Sequence, residues 1–332
     1  MYLLVVFYYK RPVLLADCLF LPNKLYQGYM KQEYTIEPGI DNSIHYKVRT
    51  EPLFLDENNH RHFLTHGWCK ITDVVRPEEI KSFIDAYGAI CGMDGFKIEN
   101  QFLNTGCLPN EKIREITSVT INNNVQTILP RMFNMDKVAH HTGGSFVIKP
   151  PHKDSALAPH QDSSFIDETS NYSLFMWVPF CDVTDLNGAI SVLPGSHLWG
   201  NTQRGFSTPW NLEKHVNLLA QYMHPVYANA GDVLIFDPAL VHASAPNLSH
   251  DTRKAVTITV VKSNPDLIYY YKDNTMPADV IERFWVNEEF FRTYDFASKP
   301  DETKWRKDVI PYHSFDMSEE ELVQLIEKHL PH

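Results

Sequence analysis

Ala158-Pro159-His160-Gln161-Asp162 sets the reading of this chain, and it is answered by His242, 80 residues after Asp162, and by Arg253, 11 residues later again. In an extended strand, residues i and i+2 project from one face, so His160 and Asp162 can reach a common point while Gln161 points away. Working outward, the flanking sequence reads as a series of short strands over 145–149, 158–162, 172–180, 189–193, 222–227, 232–236 and 254–262. Asn187-Gly188, Leu193-Pro194-Gly195-Ser196 and Asn229-Ala230-Gly231-Asp232 supply the turns. So many short strands over about 120 residues suggest a sandwich or jelly roll rather than alternating α/β units.

A His-x-Asp pair with one distant histidine can give two imidazoles and one carboxylate to a single face of an iron ion, leaving coordination positions open. Along the last strand Arg253, Ala255, Thr257 and Thr259 share one face, and Lys254, Val256, Ile258 and Val260 the other. The first face suits the interior of a barrel and the second suits packing against helices. An arginine there is a natural anchor for the far end of a dicarboxylic acid, because its planar fork binds carboxylate bidentately. These residues together point to an Fe(II)/2-oxoglutarate oxygenase.

Decoys are present. His152-Lys153-Asp154 repeats the triplet eight residues before His160, but it follows Pro150-Pro151 in a polar loop where rigid ligand geometry is harder to hold. His197 follows the Pro194-Gly195-Ser196 turn, and turn histidines more often satisfy backbone groups than bind metal. Arg253 could instead form a surface salt bridge, which would contribute little.

The flanks read as helical. Phe63 to Ile71 gives a helix end, a glycine break and a strand, and Arg76-Pro77-Glu78-Glu79-Ile80 opens a helix with proline in its first turn. Ile80, Phe83, Ile84 and Tyr87 are expected on its inner face. A second helical region over 110–140 has Ile113, Ile116 and Val119 at threefold spacing and Ile121, Val125 and Ile128 at fourfold and threefold spacing, with Asn122-Asn123-Asn124 as an expected break. Ser318 and Glu321 form a capping box for a last helix. One oxygenase domain over 30–332 follows, with helical flanks at about 50–140 and 263–332 around a β core at about 144–262. Residues 1–29 lack clear periodicity, and Met30 opens a polar stretch. They read as an extension that is either mis-assigned, with translation starting at Met30, or a loosely docked arm.

Acidic residues number 41 and basic residues 30, a net charge of −11, and no Lys/Arg cluster exceeds a pair. Nucleic acid is therefore not an expected partner. The five cysteines are odd in number and lack C-x-x-C spacing, so a reducing compartment, the cytoplasm, is the default. Met1 to Tyr9 is apolar but short, lacks a basic segment before it and a cleavage site after it, and no apolar run approaches the roughly 20 residues of a membrane span.

The chain resembles the phytanoyl-CoA dioxygenase family. The matching segments are Ile148-Lys149-Pro150-Pro151, Pro159-His160-Gln161-Asp162, Trp177, the block Asn187 to His197, and Gly231 to Phe236 leading to His242-Ala243-Ser244 and Arg253. They run in family order over roughly residues 60–262. The resemblance implies a double-stranded β-helix in which His160, Asp162 and His242 bind Fe(II), while Arg253 and Ser244 hold the C5 carboxylate of 2-oxoglutarate. Trp177 and Gln161 match positions that line the cosubstrate pocket, and Lys149 matches a family lysine. It further implies hydroxylation of an unactivated C–H bond, with dioxygen as cosubstrate and succinate and CO2 released. Iron halogenases of related fold have a small residue in place of the carboxylate, so Asp162 favours hydroxylation over halogenation, with desaturation and ring formation as alternative outcomes of the same chemistry.

Two alternatives stand beside this reading. One is a cupin-type metalloenzyme that uses the same ligands without 2-oxoglutarate; the other is a family-like binding protein without turnover. For a small-molecule substrate, Arg204 and Trp199 in the segment 198–221, with Phe165 just past Asp162, are expected at the mouth. A capping loop packed by its aromatic residues is the competing account of that segment.

Overall fold

The computed structural model describes residues 52–140, 143–200, 203–262, 265–294, 298–312 and 317–330. The extension over 1–29 and the Met30 question lie outside the described residues. The helical flank comes first. Helix α1 (Glu57–His66) is capped by the Asp56 side chain, which accepts from the Asn59 N–H at 2.8 Å, and it ends at Gly67 with φ 79°. Strand β1 (Trp68–Ile71) follows, then α2 (Pro77–Cys91), β2 (Leu103–Asn104) and α3 (Glu111–Val125).

Helix α3 departs from the expected face. Its buried residues include Ile113, Thr117, Ile121 and Val125, a strict fourfold row, whereas Ile116 and Val119 are 37% and 47% exposed. Three polar residues, Arg114, Thr117 and Ser118, are buried with that row. The Asn122–Asn124 run does not break the helix, which continues to Val125; burial of Ile121 and Val125 on either side outweighs the poor propensity. On α2, Ile80, Phe83 and Tyr87 are buried as expected, but Ile84 is exposed.

The core strands are β3 (Val138–His140), β4 (Ser145–Lys149), β5 (Leu157–His160), β6 (Ser173–Pro179), β7 (Ile190–Val192), β8 (His224–Val226), β9 (Val233–Phe236), β10 (His242–Ser244) and β11 (Arg253–Lys262). They form two antiparallel sheets. The larger has the order β1-β9-β6-β11-β4-β2, with β3 also on β11, and the smaller has β5-β10-β7-β8. Val147, Trp177, Leu234, Phe236 and Ala255 of the larger sheet pack against Ile190, Val192 and Val226 of the smaller one. The two sheets thus close face to face as a jelly roll, the double-stranded β-helix expected from the sequence.

The alternation along β11 sorts as predicted. Val256, Ile258 and Val260 join Phe146, Ile148, Met176 and Ile235 under the helices, while Ala255 faces the sandwich interior. The outer face of the smaller sheet is covered by α4 (Val216–Gln221) and α6 (Glu319–His329), with Leu219, Leu322 and Ile326 packed on Leu193, Val241 and Ala243. Ser318 and Glu321 form the expected capping box of α6.

The flank beyond residue 262 is not simply helical. It holds a three-stranded antiparallel sheet, β12 (Leu267–Tyr271), β13 (Val280–Val286) and β14 (Lys307–Pro311), with the short α5 (Glu288–Thr293) between the last two. Its β-branched and aromatic content explains the strands, and Phe284, Phe290 and Tyr269 form their own core with Phe165 and Phe206 packed against it. No helix among the described residues is long and apolar enough to cross a membrane.

Candidate metal centre

Strands β5 and β10 are antiparallel neighbours, and their register sets His242 directly opposite His160. Their ring centroids lie 4.2 Å apart. Asp162 follows two residues after His160, past the end of β5, where its N–H donates to the Pro238 carbonyl at 2.9 Å. Its two carboxylate oxygens then stand 3.7 Å from His160 Nε2 and 3.5 Å from His242 Nε2. One ligand atom from each of the three residues lies within 4.8 Å of the other two, the one such group of three among the described residues.

The donor set fits a divalent ion. Each imidazole places Nδ1 against a backbone carbonyl, His160 on Ala158 at 2.9 Å and His242 on Leu240 at 3.0 Å. A carbonyl can only accept, so Nδ1 carries the hydrogen and Nε2 presents its lone pair towards Asp162. Burial, reinforced by the neighbouring His242, pushes His160 down to about 4, so it is neutral at neutral pH, the form that ligates metal.

A second polar region surrounds Arg253. Arg253 on β11 is 2% exposed; one of its guanidinium nitrogens donates to the Gly188 carbonyl, and its fork lies 5.3 Å from the Trp177 ring centroid. Its Nε and the Ser244 hydroxyl are buried without a hydrogen-bond partner. Two unsatisfied buried donors of this kind are costly unless an acceptor binds there. Burial pushes Arg253 down to about 10, which leaves it charged at neutral pH.

The remaining sequence-derived candidates have the following surroundings. Lys149, the family lysine and the strand partner of Arg253, is fully buried, and its Nζ donates to the carbonyls of Ser155 at 2.6 Å, Ala245 at 2.8 Å and Ser244 at 3.4 Å. It ties β4 to the loop after β10. Gln161 points away from the pocket: its amide donates to the Ala239 carbonyl at 2.5 Å and its oxygen accepts from Trp210 Nε1 at 3.1 Å. Trp199 packs in the core beneath α6, on the far side of the smaller sheet. Arg204 is 4% exposed and forms a bidentate pair with Glu168, so it does not line a mouth. Phe165 is partly exposed and meets Phe175 and Phe291 edge-on at 5.9 and 5.0 Å.

The decoys resolve locally. His152 Nδ1 accepts from the Asp154 N–H at 3.1 Å in its own loop, and His197 Nε2 bonds the Leu64 carbonyl at 3.1 Å. Sequence reasoning missed Phe236, whose ring lies 4.8 Å from His242, and Glu168, the partner of Arg204. The period-2 alternation of 233–236 could have signalled Phe236; nothing local signals Glu168.

The phytanoyl-CoA dioxygenase (PhyH) family pattern matches residues 63–255, more than half of the chain and the whole span that builds this centre. The chain belongs to the phytanoyl-CoA dioxygenase family. Among its relatives, a phytanoyl-CoA dioxygenase domain-containing protein 1 homolog of Dictyostelium discoideum is 32% identical over 119 residues, 33% of this chain and 42% of that one. The phytanoyl-CoA dioxygenase domain-containing protein 1 of Bos taurus is 29% identical over 128 residues, 36% of this chain and 43% of that one. The chain therefore aligns with less than half the length of these two relatives. Among solved structures, a non-heme alpha ketoglutarate dependent carbocyclase, SnoK from nogalamycin biosynthesis, superposes with a TM-score of 0.48 at 20% identity, covering 65% of this chain and 86% of the other. In this family member, the two histidines and the carboxylate stand on the smaller sheet and just past its edge strand, while the buried arginine stands on the larger.

Proposed function

We propose that this family member is an Fe(II)- and 2-oxoglutarate-dependent dioxygenase that hydroxylates an unactivated C–H bond of a small molecule and releases succinate and CO2. The observation that carries this reading is the pairing of the His160–Asp162–His242 cluster with the unsatisfied donors of Arg253 and Ser244 in one sandwich. His160, Asp162 and His242 would hold the iron through two Nε2 atoms and a carboxylate oxygen. Arg253 and Ser244 would hold the far carboxylate of 2-oxoglutarate, with Trp177 stacked on the guanidinium to keep the fork in plane. When bound, iron and 2-oxoglutarate use dioxygen to supply the oxidising power for C–H cleavage.

The residues of the chain do the positioning. Phe236, whose ring lies 4.8 Å from His242 and 5.8 Å from that of Phe175, walls the side of His242 against water. Phe165, next to Phe175, would face the substrate. Residues 30–332 act as one oxygenase domain in this reading. Cys69, Cys91, Cys107 and Cys181 are free thiols, which supports a reducing compartment such as the cytoplasm.

Anaerobic Fe(II) plus 2-oxoglutarate is expected to give a weak visible charge-transfer band, lost in His242→Ala. A metal-loaded protein with no band on adding 2-oxoglutarate would instead favour the cupin-type chemistry. Succinate formed on admitting oxygen separates an enzyme from a silent binder. Product mass, screened over a metabolite library, then names the substrate by a gain of one oxygen.

A further inference from the structure

Residues 162–168 form a loop whose two ends are held by one side chain. Arg204 donates from Nε to the carbonyl oxygen of Asp162 at 2.7 Å, and from its two terminal nitrogens to Glu168 Oε2 at 2.9 Å and Oε1 at 2.7 Å. The carboxylate of Glu168 is 1% exposed. Midway, the Ser164 N–H donates to the Arg204 carbonyl at 2.9 Å. The loop is then tied to the C-terminal sheet: the Ile268 N–H donates to the Phe165 carbonyl at 2.9 Å and Arg283 to Asp167 Oδ2 at 2.9 Å.

Asp162 needs such support. It lies beyond the end of β5, so no strand ladder holds its peptide group. Its N–H is fixed by Pro238 and its carbonyl by Arg204, from opposite sides. A buried ion pair gains little stability over an apolar pair of the same shape, so its value is better sought in geometry. We propose that Arg204 and Glu168 are a positioning pair for the metal-site carboxylate, holding the Asp162 backbone so that its oxygens stay in reach of both imidazoles. The proposal rests on the metal reading given above.

Cobalt(II) serves as an oxygen-stable probe that needs neither 2-oxoglutarate nor turnover. Arg204→Lys cannot span both the Asp162 carbonyl and the Glu168 carboxylate, and Glu168→Gln is the milder second variant. Both are expected to bind cobalt about 10- to 100-fold more weakly, as loss of an outer support of a metal ligand does, with a shifted ligand-field spectrum. A comparator of the same hydrogen-bond pattern, more exposed at 31% for Arg131, lies in the helical layer: Arg131 makes a bidentate pair with Glu79 at 2.8 and 2.7 Å and one bond to the Val74 carbonyl at 2.7 Å. Arg131→Lys should lower the melting temperature without changing cobalt affinity or spectrum. Wild-type cobalt binding and spectrum in Arg204→Lys and Glu168→Gln, or equal weakening in Arg131→Lys, would overturn the positioning role. If His242→Ala loses cobalt while both clamp variants keep it, the clamp alone fails. If the wild type binds no cobalt, the metal reading fails and the clamp falls with it.

Discussion

Arg253 and Lys149 stand directly opposite each other on β11 and β4, 2% and 0% exposed, and neither forms an ion pair among the described residues. Two like charges in one buried strand pair are unfavourable by themselves. Burial, and then the charge of Arg253, lowers the Lys149 ammonium well below the usual lysine range. Lys149 at least donates to three carbonyls; Arg253 keeps an unused Nε. An arriving carboxylate relieves both the like-charge pair and the unsatisfied donor.

Arg253→Met is therefore expected to abolish 2-oxoglutarate binding while leaving metal binding intact. Arg253→Lys keeps the charge but loses the fork. It should weaken 2-oxoglutarate by about 10- to 100-fold, the size of a charged hydrogen bond of ~1.5–3 kcal/mol. Calorimetric titration of 2-oxoglutarate into nickel-loaded protein measures it, and unchanged affinity in Arg253→Met would remove the anchor assignment.

Gly188 supplies the carbonyl that receives Arg253, and its backbone adopts φ 81°. A Cβ there would lie 2.5 Å from the Ala245 carbonyl oxygen and 2.7 Å from Lys149 Cδ. Gly188→Ala is expected to cost ~1–3 kcal/mol from the backbone strain alone, with further loss from the clash. Urea unfolding should show the shift in midpoint, and 2-oxoglutarate affinity should fall alongside it because Arg253 loses its fixed acceptor.

The α3 helix offers a test of facing. Ile121 is fully buried and Ile116 is 37% exposed on the same helix. Ile121→Ala should destabilise by ~2–5 kcal/mol through the cavity it leaves, whereas Ile116→Ala should stay within ~0.5 kcal/mol. Equal effects in chemical denaturation would contradict the fourfold row as the packed face.

His66 supplies a pH dependence away from the metal. Burial, and then the nearby His62 and His197, push its imidazole down to about 3. In the unfolded chain it titrates near 6.5, so the unfolded state binds more protons between those values. Stability attached to a neutral His66 is thus present above pH ~6.5 and lost as pH falls towards 3, with a slope approaching ~1.4 kcal/mol per pH unit for one proton. His66→Asn should flatten that acid limb when stability is measured by urea titration between pH 7 and 5. An identical slope in the variant would show that other groups carry it.

Much of this architecture is legible along the chain because it depends on neighbours. The two faces of β11 follow from a period of two, and the turn at Asn187-Gly188 from the freedom of glycine. The capping box at Ser318 and Glu321 and the His-x-Asp triplet with its distant histidine are likewise local patterns in family order. The sheet over 267–311 is less legible because its strands are short and widely separated, although Leu267-Ile268-Tyr269-Tyr270-Tyr271 is rich in strand formers. The α3 face is ambiguous in the sequence because threefold and fourfold spacings of isoleucine coexist there, and packing partners choose between them.

The chemical types at the centre, two imidazoles, a carboxylate and a guanidinium, were readable in the sequence, since ligand identity is written residue by residue. Their arrangement was not. Asp162 reaches the imidazoles from beyond a strand end through a Pro238 contact 76 residues away in sequence, and Arg204 meets Glu168 across 36. Gln161 turns outward as strand alternation requires, but its partners Ala239 and Trp210 lie 78 and 49 residues away in sequence. Periodicity constrains a side chain's direction only within its own element. Which buried donor meets which buried acceptor is settled when distant segments pack and every polar group must find a partner.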